Sequence, residues 1–107
     1  MSDLRILQIL FRHPQKASET AQKAAWDRAH AIAQWPGLVW KIWTYDPEGD
    51  RSGGVYLFRD AASAESYLNG PIVASMKSIP GSSDFQATVL AVDGDRSKIT
   101  RGPLPVE

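Results

Sequence analysis

A chain of 107 residues, 43% hydrophobic and 22% charged, has the size of one domain with its own core and not of two. Twelve basic residues balance twelve acidic ones, so the net charge is zero and nothing favours a polyanion: no nucleic acid is expected as partner. Cysteine is absent, which removes disulfides, thiolate nucleophiles and cysteine metal sites; with an N-terminus, MSDLRILQILF, that lacks a basic leader, and no apolar run near membrane length, a cytoplasmic protein is the expectation.

Residues 4–12, LRILQILFR, form a short apolar run with Gln8 as its interior polar residue, and His13-Pro14 ends it, which predicts a central strand. The period then becomes helical over residues 18–35. Ala21, Ala25, Ala29, Ile32 and Ala33 share one face, Trp26 lies at its edge, and Lys23, Asp27, His30 and Gln34 lie opposite. Ser18 can cap this helix and Pro36-Gly37 stops it. A stripe made mostly of alanine implies close packing on a sheet, or else room for a ligand beneath the helix.

Residues 38–45, LVWKIWTY, read as a strand with apolar side chains on both alternating sets, so neither face is meant for water. The segment DPEGDRS is a turn by composition, and a third strand is expected over residues 55–59 after Gly53-Gly54. Asp60 can cap a helix over residues 61–69, Gly70-Pro71 breaks it, and a short helical piece follows over residues 72–79. A fourth strand over residues 85–92 again carries apolar side chains on both sides. The tail, residues 94–107, with Pro103 and Pro105 and little periodicity, predicts an extended arm.

Strand, helix, strand, strand, helix, strand is the split βαβ order of α+β ferredoxin-like folds: one four-stranded antiparallel sheet with helices on one face. The other face would be bare and apolar, an aggregation hazard that a second copy of the chain removes, so a homodimer is expected, with Leu57 and Val89 as positions to disrupt it. The second strand belongs at an edge, where Lys41 would discourage unwanted pairing.

The motifs PGLVWKIWT (residues 36–44), GGVYLFRD (53–60) and AESYL (64–68), in this order and spacing, together with SKITRGPL near the end, resemble the YdhR-type putative monooxygenase family over nearly the whole chain. The resemblance implies a dimeric α+β barrel like that of small cofactor-independent monooxygenases acting on aromatic compounds. The first loop departs from the family pattern: His13, Pro14, Gln15 and Lys16 stand where an Asn-Gly-Pro turn is expected.

Catalytic signatures are few. No Ser-His-Asp spacing, phosphate-cradling glycine loop or HExxH motif is present, and His13 and His30 alone do not make a zinc site of usual composition. With no flavin, haem or metal motif, an oxygenation would draw its electrons from the substrate, such as an ionised phenol or anthrone reacting with dioxygen. The candidates for substrate-binding rings are Trp40, Trp43 and Phe58; those for catalysis are His13 as a base, Tyr56 as a hydrogen-bond donor and Arg59 as an anion holder. Each has an ordinary reading beside the functional one: core or interface packing for the rings and Tyr56, a solvated turn for His13, an ion pair with Asp60 or Glu65 for Arg59. The rival to an enzyme is a non-catalytic dimeric module that binds a small hydrophobic ligand. An RNA-recognition module, which shares the topology, fails because Gly53 and Val55 occupy its stacking positions.

Overall fold

The structure, a computed structural model, describes residues 3–13 and 18–105; Pro14, Gln15 and Lys16 of the first loop lie outside them. The elements are β1 (Arg5–Arg12), α1 (Glu19–Ala33), β2 (Leu38–Tyr45), β3 (Arg51–Phe58), α2 (Ala61–Leu68), α3 (Pro71–Lys77), β4 (Ser83–Ala91) and α4 (Gly94–Ile99). The strands form one antiparallel sheet in the order β2-β3-β1-β4, the ferredoxin-like arrangement, with β1 and β3 central and β2 at an edge.

Local chemistry explains the boundaries. The Ser18 hydroxyl accepts the Ala21 amide at 3.1 Å and the Asp60 carboxylate accepts that of Ser63 at 2.8 Å, so each helix start has a donor satisfied by its cap. After α1 the chain turns at Gly37, whose φ of +84° suits glycine, and the Gly37 carbonyl accepts the Arg59 amide at 2.8 Å. The third strand begins at Arg51, four residues before the expected Val55, and takes both glycines into its ladder. Gly53 presses against the Ile9 backbone of β1, where no side chain would fit.

Cross-strand register assigns the two faces. Leu7, Ile9 and Phe11 of β1 and Tyr56 and Phe58 of β3 point to the helices and join Ile32, Ala64, Tyr67, Val73 and Met76 in one buried cluster. Ile6, Leu10, Trp40, Ile42, Val55, Leu57 and Leu90 point the other way. On that outer face Ile42 is 54% exposed and Leu90 47%, whereas Leu57 is fully buried. The Trp40 indole N–H donates to the Pro103 carbonyl at 2.7 Å, which ties the C-terminal segment to the same side of β2.

Three expectations need correction. The tail is not wholly extended: residues 94–99 form α4, because Asp93 caps it through the Arg96 amide at 3.0 Å and both prolines fall beyond its end. Val89 pairs with Leu7 and shares its helix-side face, so of the two positions named for disrupting a dimer only Leu57 faces outward, and it is already buried within the chain. Residues 86–91 of β4 are exposed, since β4 is the second edge strand and no helix of this chain covers it. Lys41, on the edge strand, points to the helix side opposite Tyr56.

Candidate functional site

A register shift between Leu38 and Trp40 breaks the alternation of β2. Leu38 pairs with Phe58 and packs against the core, Trp40 pairs with Leu57 on the outer face, and the following residues return Lys41, Trp43 and Tyr45 to the helix side opposite Tyr56, Gly54 and Ser52. The edge strand therefore presents an amine and two rings beneath α1.

Gly54 makes room for the amine. A Cβ there would sit 2.5 Å from Lys41 Cε, so the bare backbone allows the lysine stem to lie across the strand. Lys41 Nζ rests 3.2 Å from the Trp43 ring centroid and 4.5 Å from that of Tyr56, within reach of cation–π attraction. Among the described residues no carboxylate lies within ion-pairing distance of it, whereas Arg12, Lys23 and Arg96 each have one within 3.0 Å. Burial and, second, the nearby charge of Arg28 from α1 lower the Lys41 pKa to about 7.

Beneath the amine lies a closed ring cluster. The Tyr56 and Tyr67 hydroxyls are 2.9 Å apart and hydrogen-bonded; Tyr56 stacks on Phe58 at 5.9 Å, and Trp35 meets Tyr67 edge-on at 5.5 Å. Desolvation pushes the Tyr56 phenol far up, and for the same first reason that of Tyr67 rises to about 12, so both stay protonated near neutrality and neither is a base; in their mutual bond one hydroxyl donates and the other accepts. The roof is looser. Along the alanine stripe of α1 only Ile32 is buried; Ala25, Arg28 and Ala29 are half-buried, and Ala21 and Ala33 are exposed. Trp43 consequently remains 46% exposed and Tyr45 72%.

The residues singled out in the sequence are not gathered round one point. Tyr56, Phe58 and Trp43 share the helix side, but Trp40 is on the opposite face of the same strand. Tyr56 lies opposite Leu7, and His13 follows six residues further along β1, roughly 20 Å away at strand rise. There the His13 amide donates to the Asp50 carbonyl at 2.6 Å, its ring lies 6.3 Å from Phe11, and its buried Nδ1 has no hydrogen-bond partner among the described residues. Arg59, just past the other end of β3, is exposed, and neither Asp60 nor Glu65 forms an ion pair with it. The sequence reading missed Lys41 as an inward residue, Arg28 as its neighbour and Tyr67 as the partner of Tyr56. The WKIW run carried the only hint, a cation set among rings.

A depression of about 250 Å³ lies at the far end of the sheet between Leu10, Arg12, Arg51, Asp84 and Gln86, where Arg12 already bridges Asp50 and Asp84 at 2.9 and 3.0 Å. Among the described residues no three His, Asp or Glu side chains converge as a metal cluster, and no helix is long and apolar enough to cross a membrane.

The family model described as "Putative mono-oxygenase ydhR" matches residues 6–103. No curated protein matches the chain by sequence. Among solved structures, the fold is similar to that of SnoaB, a cofactor-independent oxygenase from Streptomyces nogalater (TM-score 0.65, 13% identity, covering 85% of this chain and 94% of that one). It is also similar to MupZ from Pseudomonas fluorescens (TM-score 0.64, 17% identity, 96% and 78% covered). A third likeness is to a putative antibiotic biosynthesis monooxygenase from Deinococcus radiodurans (TM-score 0.60, 14% identity, 82% and 91% covered). At such identities the likeness is one of fold.

Proposed function

Since this chain belongs to the YdhR family of putative mono-oxygenases, we propose that it oxygenates an electron-rich aromatic compound without metal or organic cofactor, holding the ring on Trp43 between α1 and β2. The observation that carries this reading is the helix-side shelf of β2: an exposed indole, a half-buried amine above it and a second cation, Arg28, on the helix that roofs it. Such a shelf suits a flat ring bearing an ionisable group, with the indole as stacking partner and the cations as holders of negative charge.

The chemistry balances without an outside reductant. An ionised phenol, or an anthrone ionised through its enol, gives four electrons to dioxygen as a ring C–H or CH₂ carbon becomes C=O and a quinone forms; one oxygen atom stays on carbon and the other leaves as water with the two hydrogens the substrate gives up. The protein binds the ring and favours its ionised form. Tyr56 and Phe58 back the shelf as rigid rings.

The outer sheet face fits a second copy of the chain, because Ile42 and Leu90 are exposed beside half-buried Ile6, Leu10 and Val55. Light scattering should give about twice the chain mass, and Ile42→Asp with Leu90→Lys should return the monomer; a monomeric wild type rejects this arrangement.

Oxygen uptake tests the activity. Metal-stripped protein mixed with a panel of anthrones and hydroxylated polycyclic aromatics should consume oxygen above a heat-killed control, and Trp43→Ala should reduce the rate at least tenfold. Uptake no greater than the control across the panel would instead favour a dimeric module that only binds a hydrophobic ligand.

A further inference from the structure

We propose that Lys41 is the proton acceptor that ionises the substrate and that Arg28 holds the resulting anion, so that the site selects acidic ring compounds such as phenols and naphthols. This rests on the aromatic-substrate reading of the β2 shelf and assigns it a base.

Geometry points to this lysine. The shift in β2 turns Lys41 inward, Gly54 lets its stem lie flat, and its Nζ covers one face of the half-exposed Trp43 ring, so that a substrate held against the rest of that indole would bring its hydroxyl to the amine. Trp43 on its own strand and Tyr56 from β3 lie under it, Tyr67 from α2 stands behind Tyr56, and Arg28 of α1 is near enough for its charge to act on the amine. None is a carboxylate. Burial first, and the charge of Arg28 second, with no carboxylate beside it among the described residues, leave the amine free for a large share of the time near pH 7. The two tyrosines cannot compete for a proton, since burial keeps both as phenols.

In the transfer the substrate O–H bond breaks and an N–H bond forms on Nζ. The bonding pair remains on oxygen, giving a phenolate next to an ammonium and the Arg28 guanidinium. No electron changes hands at this stage. The ammonium so formed settles over the Trp43 face, and the oxyanion supplies the counter-charge that no side chain of the shelf provides. His13, at the far end of β1, is too distant to share this proton.

The test uses 2-naphthol under argon, because its anion has an absorption band of its own and no oxygen chemistry can intervene. On the wild-type protein the bound naphthol should ionise at least one pH unit lower than in buffer, a tenfold or greater shift in its acid constant. Lys41→Met should bind it and abolish the shift, while Gly54→Ala, which crowds the lysine stem, should reduce it. 2-Methoxynaphthalene, which has no proton to lose, should bind wild type and Lys41→Met within about twofold of each other. A naphthol that fails to bind or binds without a shift, or a shift that survives in Lys41→Met, overturns the assignment. If the shift is seen but aerobic samples consume no oxygen, the base stands and the oxygenase reading falls, so the two can fail separately.

Discussion

The helix-side face of the sheet contains two regions packed in opposite ways. Over β1 and β3, α2 and α3 close down: Leu7, Tyr56, Phe58, Ala64 and Tyr67 have no exposed surface, and the Tyr56 and Tyr67 hydroxyls bond to each other. Over β2 the face of α1 is only half-buried at Ala25, Arg28 and Ala29, two rings remain open to solvent, and an amine is half-buried with no anion beside it among the described residues. Burial in the first region stabilises the fold through apolar area and ring contacts. In the second it opposes the fold, because desolvating a cation costs free energy that the Trp43 and Tyr56 ring faces offset only in part. The sheet thus keeps its stability in one half and its reactive group in the other, and the boundary between them is a single ring, Tyr56, which touches both.

Removing the centre of the closed region should have the largest effect. Tyr67 contacts Trp35, Tyr56 and Phe58 with centroids between 4.9 and 5.5 Å and shares the hydroxyl bond. Tyr67→Ala should cost about 3–5 kcal/mol in urea unfolding, as expected for deleting a large buried aromatic. Tyr67→Phe should cost about 1–3 kcal/mol, since it keeps the ring but leaves the buried Tyr56 hydroxyl alone. A loss below about 1 kcal/mol for the alanine variant would erase the contrast between the regions.

The closed region is also the part that the amino-acid pattern revealed. An apolar run such as residues 4–12 is what a strand paired on both sides requires, and Ser18, Pro36-Gly37, Asp60 and Gly70-Pro71 punctuate the helices by local hydrogen bonding and φ preference, which need no tertiary information. The open region was opaque for a physical reason. Strand alternation predicts faces only while the register is regular, and the shift between Leu38 and Trp40 is set by pairing with β3, not by any residue of β2 alone. Alternation alone sets Trp40 and Trp43 on opposite faces, as they are, but which set meets the helices, and with it the inward turn of Lys41, depended on that pairing. Arg28 was hidden in the same way: its nearness to Lys41 depends on where α1 crosses the sheet. Trp43, Tyr56 and Phe58 were legible as strand aromatics, but which of them stayed open to a ligand depended on how high the helix rides. At the tail, the prolines masked α4 because they follow it, and the deciding signal was the Asp93 cap.

A smaller effect, of opposite sign, should come from relieving the open region. Lys41 has an ordinary pKa of 10.5 when exposed, and burial with Arg28 nearby brings it to about 7 in the folded chain. Between those two values the unfolded chain holds a proton that the folded chain releases, so wild-type stability should rise with pH across that window. Below it the ammonium is carried into the fold at full cost; above it the amine is neutral in both states and the cost disappears. A tenfold change in an acid constant corresponds to about 1.4 kcal/mol before screening, and the solvent at the open edge leaves about 1–2 kcal/mol in all. Lys41→Met should therefore be more stable than wild type by that amount at pH 7, and the two should converge by about pH 10.5, where the unfolded lysine loses its proton. Parallel urea midpoints from about pH 6 to 11, or a methionine variant weaker at every pH, would mean that the amine is not held against its preference, and the two halves of the face would differ in openness alone.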